Sequence, residues 1–209
     1  MNKKIPCPDS LFEACRAVPV VVIKAISDTL PTLAAMRDGG IPVAEITFRT
    51  PCAADAIKLG RDTFPDMLIG AGTVINAEQA ERAIDCGAQF IVSPGLSAAV
   101  ATVCAEREVP YLPGCVTPTE IMSALELGIT TVKFFPANIY GGLKAIKALS
   151  APFPQVKFLP TGGVDMSNIQ EFLDCDRIAA VGGSFMMKGS TADIRENCRK
   201  LRKLLDKEA

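Results

Sequence analysis

Eight short apolar runs, each followed by a stretch with helical patterning, constrain this chain more than any other feature. The runs lie at 18–23, 43–48, 67–73, 89–92, 110–113, 130–135, 156–161 and 178–183. They are short, β-branched and largely unbroken by polar residues, which is how strands buried on both faces of a parallel sheet read. The intervening stretches at 30–37, 52–62, 77–86, 98–106, 118–127, 143–149, 168–173 and 192–205 read as helices. Gly39-Gly40, Gly87 and Gly128 follow helical stretches as C-caps do. Eight such β-α units close naturally into an α/β architecture, the (β/α)8 TIM barrel. A doubly wound open sheet would require some of the units to be misread. No linker, low-complexity segment or compositional break divides residues 1–209, so a single domain is expected.

Composition narrows the chemistry. The chain has no histidine, which excludes histidine-based catalytic triads, His-ligated zinc and histidine general bases. Proton transfer must fall to carboxylates, lysines, tyrosines, cysteines or bound water. A net charge of −1 with interspersed signs argues against a nucleic-acid surface. The apolar run 18–23 is far too short to span a bilayer. Residues 1–9 carry lysines but no apolar signal core, so a cytoplasmic location without a membrane partner is expected. Eight cysteines, at 7, 15, 52, 86, 104, 115, 175 and 198, form no Cys-x-x-Cys pair, which suits reduced thiols.

One cation, Lys133, interrupts the apolar run 130–135. On a strand, Thr131, Lys133 and Phe135 share a face. Burial of that face would strip water from the ammonium and favour the neutral, nucleophilic amine. By itself the segment better fits a strand-end lysine reaching solvent, but other polar residues gather at the same strand ends. Glu45 and Arg49 lie at the end of the second run, Thr73 at the third and Thr161 at the seventh, and Thr47 shares the parity of Glu45. Each has a mundane explanation: an ion pair for Glu45 with Arg49, a helix N-cap for Thr73. Together they occupy the rim where barrels of this kind place their active sites.

Gly162-Gly163 and Gly182-Gly183-Ser184 follow the seventh and eighth runs. Loops there commonly hold a phosphate, with glycines letting backbone N–H groups approach the anion. Tight βα turns are the alternative reading. A nucleophilic lysine, a carboxylate and a phosphate cradle suggest carbonyl chemistry through a Schiff base. Glu45 is then the candidate general acid/base, and Arg49 offers a fork for a substrate carboxylate.

Seven segments occur in order: 45–50 (Glu-Ile-Thr-Phe-Arg-Thr), 70–74 (Gly-Ala-Gly-Thr-Val), 93–95 (Ser-Pro-Gly), 113–114 (Pro-Gly), 132–137 (Val-Lys-Phe-Phe-Pro-Ala), 160–164 (Pro-Thr-Gly-Gly-Val) and 182–184 (Gly-Gly-Ser). As a series they resemble the class I 2-keto-3-deoxy-6-phosphogluconate (KDPG) / 4-hydroxy-2-oxoglutarate (KHG) aldolase family across nearly the whole chain. That resemblance implies a homotrimeric barrel cleaving 2-dehydro-3-deoxy-6-phosphogluconate to pyruvate and glyceraldehyde 3-phosphate. It leaves open activity on 4-hydroxy-2-oxoglutarate and on the galactonate epimer; a phosphate-binding barrel isomerase or epimerase is the other alternative. It implies Lys133 as the imine-forming lysine, Glu45 as acid/base acting through water, and Arg49 and Thr73 at the pyruvate carboxylate. Gly162, Gly163, Gly183 and Ser184 would cradle the phosphate, with Pro94, Phe135 and Thr161 shaping the pocket. Neither a metal nor another cofactor is implied. Asn138 stands where the family commonly has an acidic residue, and Phe185 where it often has tryptophan. Neither is expected to touch the chemistry, but both are expected to bear on selectivity.

Overall fold

Parallel pairing between strands distant in sequence sets the architecture. The computed structural model describes residues 4–12 and 15–206, so the reading of Met1–Lys3 as lacking a signal core lies outside the described residues. The strands are β1 (Ala17–Val21), β2 (Val43–Thr47), β3 (Leu68–Gly72), β4 (Ile91–Val92), β5 (Tyr111–Leu112), β6 (Thr131–Phe134), β7 (Lys157–Pro160) and β8 (Val181–Gly183). The helices are α1 (Asp9–Phe12), α2 (Thr29–Asp38), α3 (Ala53–Thr63), α4 (Ala77–Asp85), α5 (Ala98–Glu106), α6 (Pro118–Glu126), α7 (Gly142–Ser150), α8 (Ile169–Leu173) and α9 (Thr191–Leu205).

Six strands form one curled parallel sheet in the order β5-β4-β3-β2-β1-β8, and β6 pairs with β7 in a separate two-stranded ladder. Single bridges connect the two: Gly114 with Lys133, Phe158 with Ile178, and Thr161 with Gly182. The expected continuous eight-strand ladder is therefore reduced to bridges at two places. β5 is shorter than its predicted range of 110–113 because Pro110 and Pro113 have no N–H to donate. At β8 the regular ladder begins only at Val181, the carbonyl of Ile178 being taken instead by the Arg16 guanidinium at 2.9 Å.

Every residue of β1, β2 and β6 is buried, as continuous apolar runs require. Side-chain caps start several of the flanking helices. Thr117 and Glu120 form a reciprocal capping box at α6, as do Ser190 and Asp193 at α9. The short α1, which carries no periodic signal in the sequence, packs against the N-terminal strand ends. Phe12 stacks edge-on against Phe90 at 5.7 Å, and Asp9 accepts a 2.6 Å hydrogen bond from Thr131 Oγ1. Thr131, at the foot of the Lys133 face, is thus tied to α1. All eight cysteines are free. No helix among the described residues is long and apolar enough to cross a membrane.

Candidate active site

Lys133 is held on β6 by backbone hydrogen bonds to the segment after β5: its N–H donates to Pro113 at 2.8 Å and its carbonyl accepts from Cys115 at 2.9 Å. That register points the side chain inward, where only 4% of the residue is exposed. Glu45, on β2 and fully buried, meets it: Nζ and Oε1 are 3.3 Å apart. The Phe135 ring lies 5.2 Å from the ammonium. Charged pairs buried this deeply contribute little net stability, because the desolvation penalty offsets their attraction. Their placement is better explained by chemistry. The second carboxylate oxygen of Glu45 and the hydroxyl of Thr161 are buried without a hydrogen-bond partner among the described residues. Unpaired buried acceptors are costly, and here they flank the lysine's cavity.

The fold makes room for Glu45 by leaving its neighbour on β3 without a side chain. A Cβ at Gly72 would stand 2.1 Å from Glu45 Oε1. Thr47, on the same face, spends its hydroxyl on the Val21 carbonyl at 3.1 Å. Arg49 is exposed just beyond β2, and its Nε donates to Thr73 Oγ1 at 3.1 Å. Thr73 sits at φ 57°, a left-handed conformation that strains a β-branched residue by ~1–3 kcal/mol.

A cavity of about 350 Å³ opens beside Lys133, lined also by Arg49, Phe135, Thr161, Gly162, Gly163, Gly183 and Ser184. The loop after β7 is pinned on both sides. Asn138 N–H donates to the Gly162 carbonyl at 3.1 Å, and Asn168 Nδ2 to that of Gly163 at 2.8 Å. Gly163 has φ +81°, and a Cβ there would collide with Asn138 Cβ at 2.3 Å. The N–H groups of Gly162 and Gly163 donate to no backbone carbonyl among the described residues, which leaves them available to an anion.

Eight of the eleven residues singled out from the sequence line this cavity, and Glu45 reaches it through Lys133. Thr73 adjoins it through Arg49. Pro94 is exposed and lies outside the cavity wall, on a turn where Ser93 Oγ sits 2.6 Å from the Tyr111 hydroxyl. Sequence reasoning missed Val20, Val164, Asp165 and Lys188, which complete the lining. Phe185 and Asn138 were expected to bear on selectivity and not on the chemistry; Phe185 lines the cavity, and Asn138 packs against Gly163. Hydrogen bonds from the Ser167 hydroxyl and backbone, aided by Lys188, hold the Asp165 carboxyl below the usual aspartate range.

Comparison with known proteins agrees with this geometry. The family model for KDPG and KHG aldolase matches residues 9–204. The 2-dehydro-3-deoxy-phosphogluconate aldolase of Treponema pallidum is 45% identical over 85% of this chain and 86% of its own length. The KHG/KDPG aldolase of Escherichia coli K12 is 38% identical over 86% and 84%. A KDPG aldolase from Legionella pneumophila, solved with pyruvate captured as a covalent carbinolamine intermediate, superposes with a TM-score of 0.90. It is 40% identical and covers 94% of this chain and 98% of its own. With these relatives, the curled parallel sheet and the buried lysine–carboxylate pair beside it are those of an aldolase, a lyase. The chain belongs to the KDPG and KHG aldolase family.

Proposed function

We propose that the protein is a class I aldolase cleaving 2-dehydro-3-deoxy-6-phosphogluconate to pyruvate and glyceraldehyde 3-phosphate. The observation that carries this reading is the buried 3.3 Å contact between Lys133 Nζ and Glu45 beside the cavity. The neutral amine of Lys133 attacks the C2 carbonyl, and the resulting carbinolamine takes up one proton, which the final hydrolysis returns, and loses water to give a protonated imine. Glu45, through a water molecule, removes the C4 hydroxyl proton. The C3–C4 bond then breaks, its electron pair passing to the iminium to form an enamine, and the aldehyde leaves. Proton return to C3 and hydrolysis of the imine release pyruvate and the free amine. Arg49 and Thr73 hold the substrate carboxylate, while Phe135 and Thr161 shape the keto-acid end and Pro94, outside the cavity wall, takes no part. Gly162, Gly163, Gly183 and Ser184 receive the phosphate through N–H groups and a hydroxyl. Charge therefore develops in a pocket whose donors are already in place.

The bridges at Lys133 and Thr161 support closure of the sheet and the β6-β7 ladder into one eight-stranded barrel spanning residues 1–209 as a single domain. The same reading takes the enzyme as a cytoplasmic homotrimer, which sedimentation at working concentration checks. Borohydride reduction with pyruvate, followed by peptide mapping, tests the chemistry. One reduced pyruvate per chain at Lys133 is expected, and Glu45→Gln should still trap pyruvate while turning over at least about tenfold slower. A protein that cleaves substrate yet is not modified at Lys133 would overturn the reading. Relative kcat/KM on the gluconate and galactonate epimers assigns the stereochemistry, and a galactonate preference would displace the substrate named here.

A further inference from the structure

We propose that Lys188 selects the phosphorylated substrate by supplying the cation that the glycine cradle lacks. The inference rests on the reading above and names the charge that tunes its phosphate end. The cradle's own donors are neutral, namely the N–H groups of Gly162 and Gly163 and the Ser184 hydroxyl. Two other cations line the same cavity, and each has a partner of its own: Lys133 with Glu45 at 3.3 Å and Arg49 with Thr73 at 3.1 Å. The phosphate end also carries an anion, Asp165, whose charge opposes that of a phosphate. Without Lys188 the formal charge beside the glycine cradle would be that of Asp165 alone.

Lys188 is placed to reverse this. It lines the cavity together with Gly183, Ser184 and Asp165, and among the described residues it forms no ion pair within 4.0 Å. It makes no close ion pair with Asp165, although its charge helps hold that carboxyl below the usual aspartate range. Its main chain is fixed: after the 3-10 turn Phe185–Met187 the backbone becomes extended at Lys188 (φ −87°, ψ 139°), and Asn197 Nδ2 of α9 donates to the carbonyls of both Met186 and Lys188 at 3.3 Å. A long, flexible side chain on an anchored backbone delivers a point charge to a phosphate without demanding one geometry. No periodicity or motif marks the residue, which lies between the Gly-Gly-Ser turn and the Ser190 cap of α9.

The test compares the parent enzyme with Lys188→Gln and Lys188→Arg. Two quantities are measured: kcat/KM for 2-dehydro-3-deoxy-6-phosphogluconate, and the rate of borohydride trapping with pyruvate, which has no phosphate. In Lys188→Gln the loss on the phosphorylated substrate should exceed any loss in trapping by about tenfold, carried mainly by KM, with the gap narrowing at high ionic strength. Lys188→Arg should restore most of it. Equal changes in the two measurements, or a KM that Lys188→Gln does not move, would overturn the proposal. If the parent itself fails to trap pyruvate, the aldolase reading fails instead, so the two failures are distinguishable.

Discussion

A methyl group added at position 72 would lie 2.1 Å from Glu45 Oε1 and 2.5 Å from its Cγ. Neither group can yield easily, since Glu45 is fully buried and its backbone is locked into the β2-β3 ladder opposite Gly70. Gly72→Ala should therefore push the carboxylate away from Lys133 and lower kcat by at least about tenfold, the scale of a displaced general acid/base. Pyruvate trapping should suffer less, because imine formation depends first on the lysine. A variant with parental kcat would show that the carboxylate's position is not critical. At this scale the sequence was most informative where one residue type broke a pattern. Lys133 stands out as the lone cation of a β-branched and aromatic run, and the absence of histidine removed most competing chemistries. Gly72, by contrast, reads as an ordinary strand-end glycine, since only the adjacent strand reveals what a side chain there would strike.

Among the elements, α6 shows how local signals translate into stability. Thr117 Oγ1 accepts from Glu120 N–H at 3.3 Å, and Glu120 Oε2 in return accepts from the N–H groups of Val116 and Thr117 at 2.8 and 2.9 Å. Thr117→Ala removes one half of this exchange and should cost ~1 kcal/mol, a fall in Tm of roughly 3 °C for a chain of this size. Activity at low temperature should be unchanged, as the cap lies away from the cavity; calorimetry with a parallel rate assay checks both. The helix from residue 118 was legible because its signals are local, although its capping exchange was not read. Strand ends were less so. The shortness of β4 and β5 and the late start of β8 depend on which partner strand offers a carbonyl or an N–H, and α1 is too short to have a period at all.

Across the whole molecule, burial suppresses ionisation of several side chains that water would otherwise charge in alkali. Burial pushes the thiols of Cys104, Cys115 and Cys198 up to about 12, and likewise the Tyr111 hydroxyl, which Ser93 only partly compensates. In the unfolded chain these groups titrate near ~8.5 for cysteine and ~10 for tyrosine. Their folded values are raised, so the stability they contribute is complete below about pH 8.5 and is lost as pH climbs towards about 12. Between neutrality and pH about 10 each thiol should remove on the order of 1 kcal/mol of unfolding free energy, seen as a falling urea midpoint. An unchanged midpoint over that range would mean the thiols are far more accessible than their packing indicates.

What the sequence determined by itself is whatever repeats or breaks a pattern along the chain. The strand and helix alternation, the buried character of β1, β2 and β6, the lone lysine and the paired-glycine turns all follow from short-range spacing and residue chemistry. The sequence put Glu45 and Lys133 on one rim; the tertiary structure alone fixed their 3.3 Å contact across 88 positions, set Asn138 against Gly163, and brought Asp165, Phe185 and Lys188 to the cavity wall. The physical reason is register. Which side chains converge at the rim depends on how each strand is staggered against its neighbour, a quantity set by pairing and packing among all the strands at once and written in no single segment.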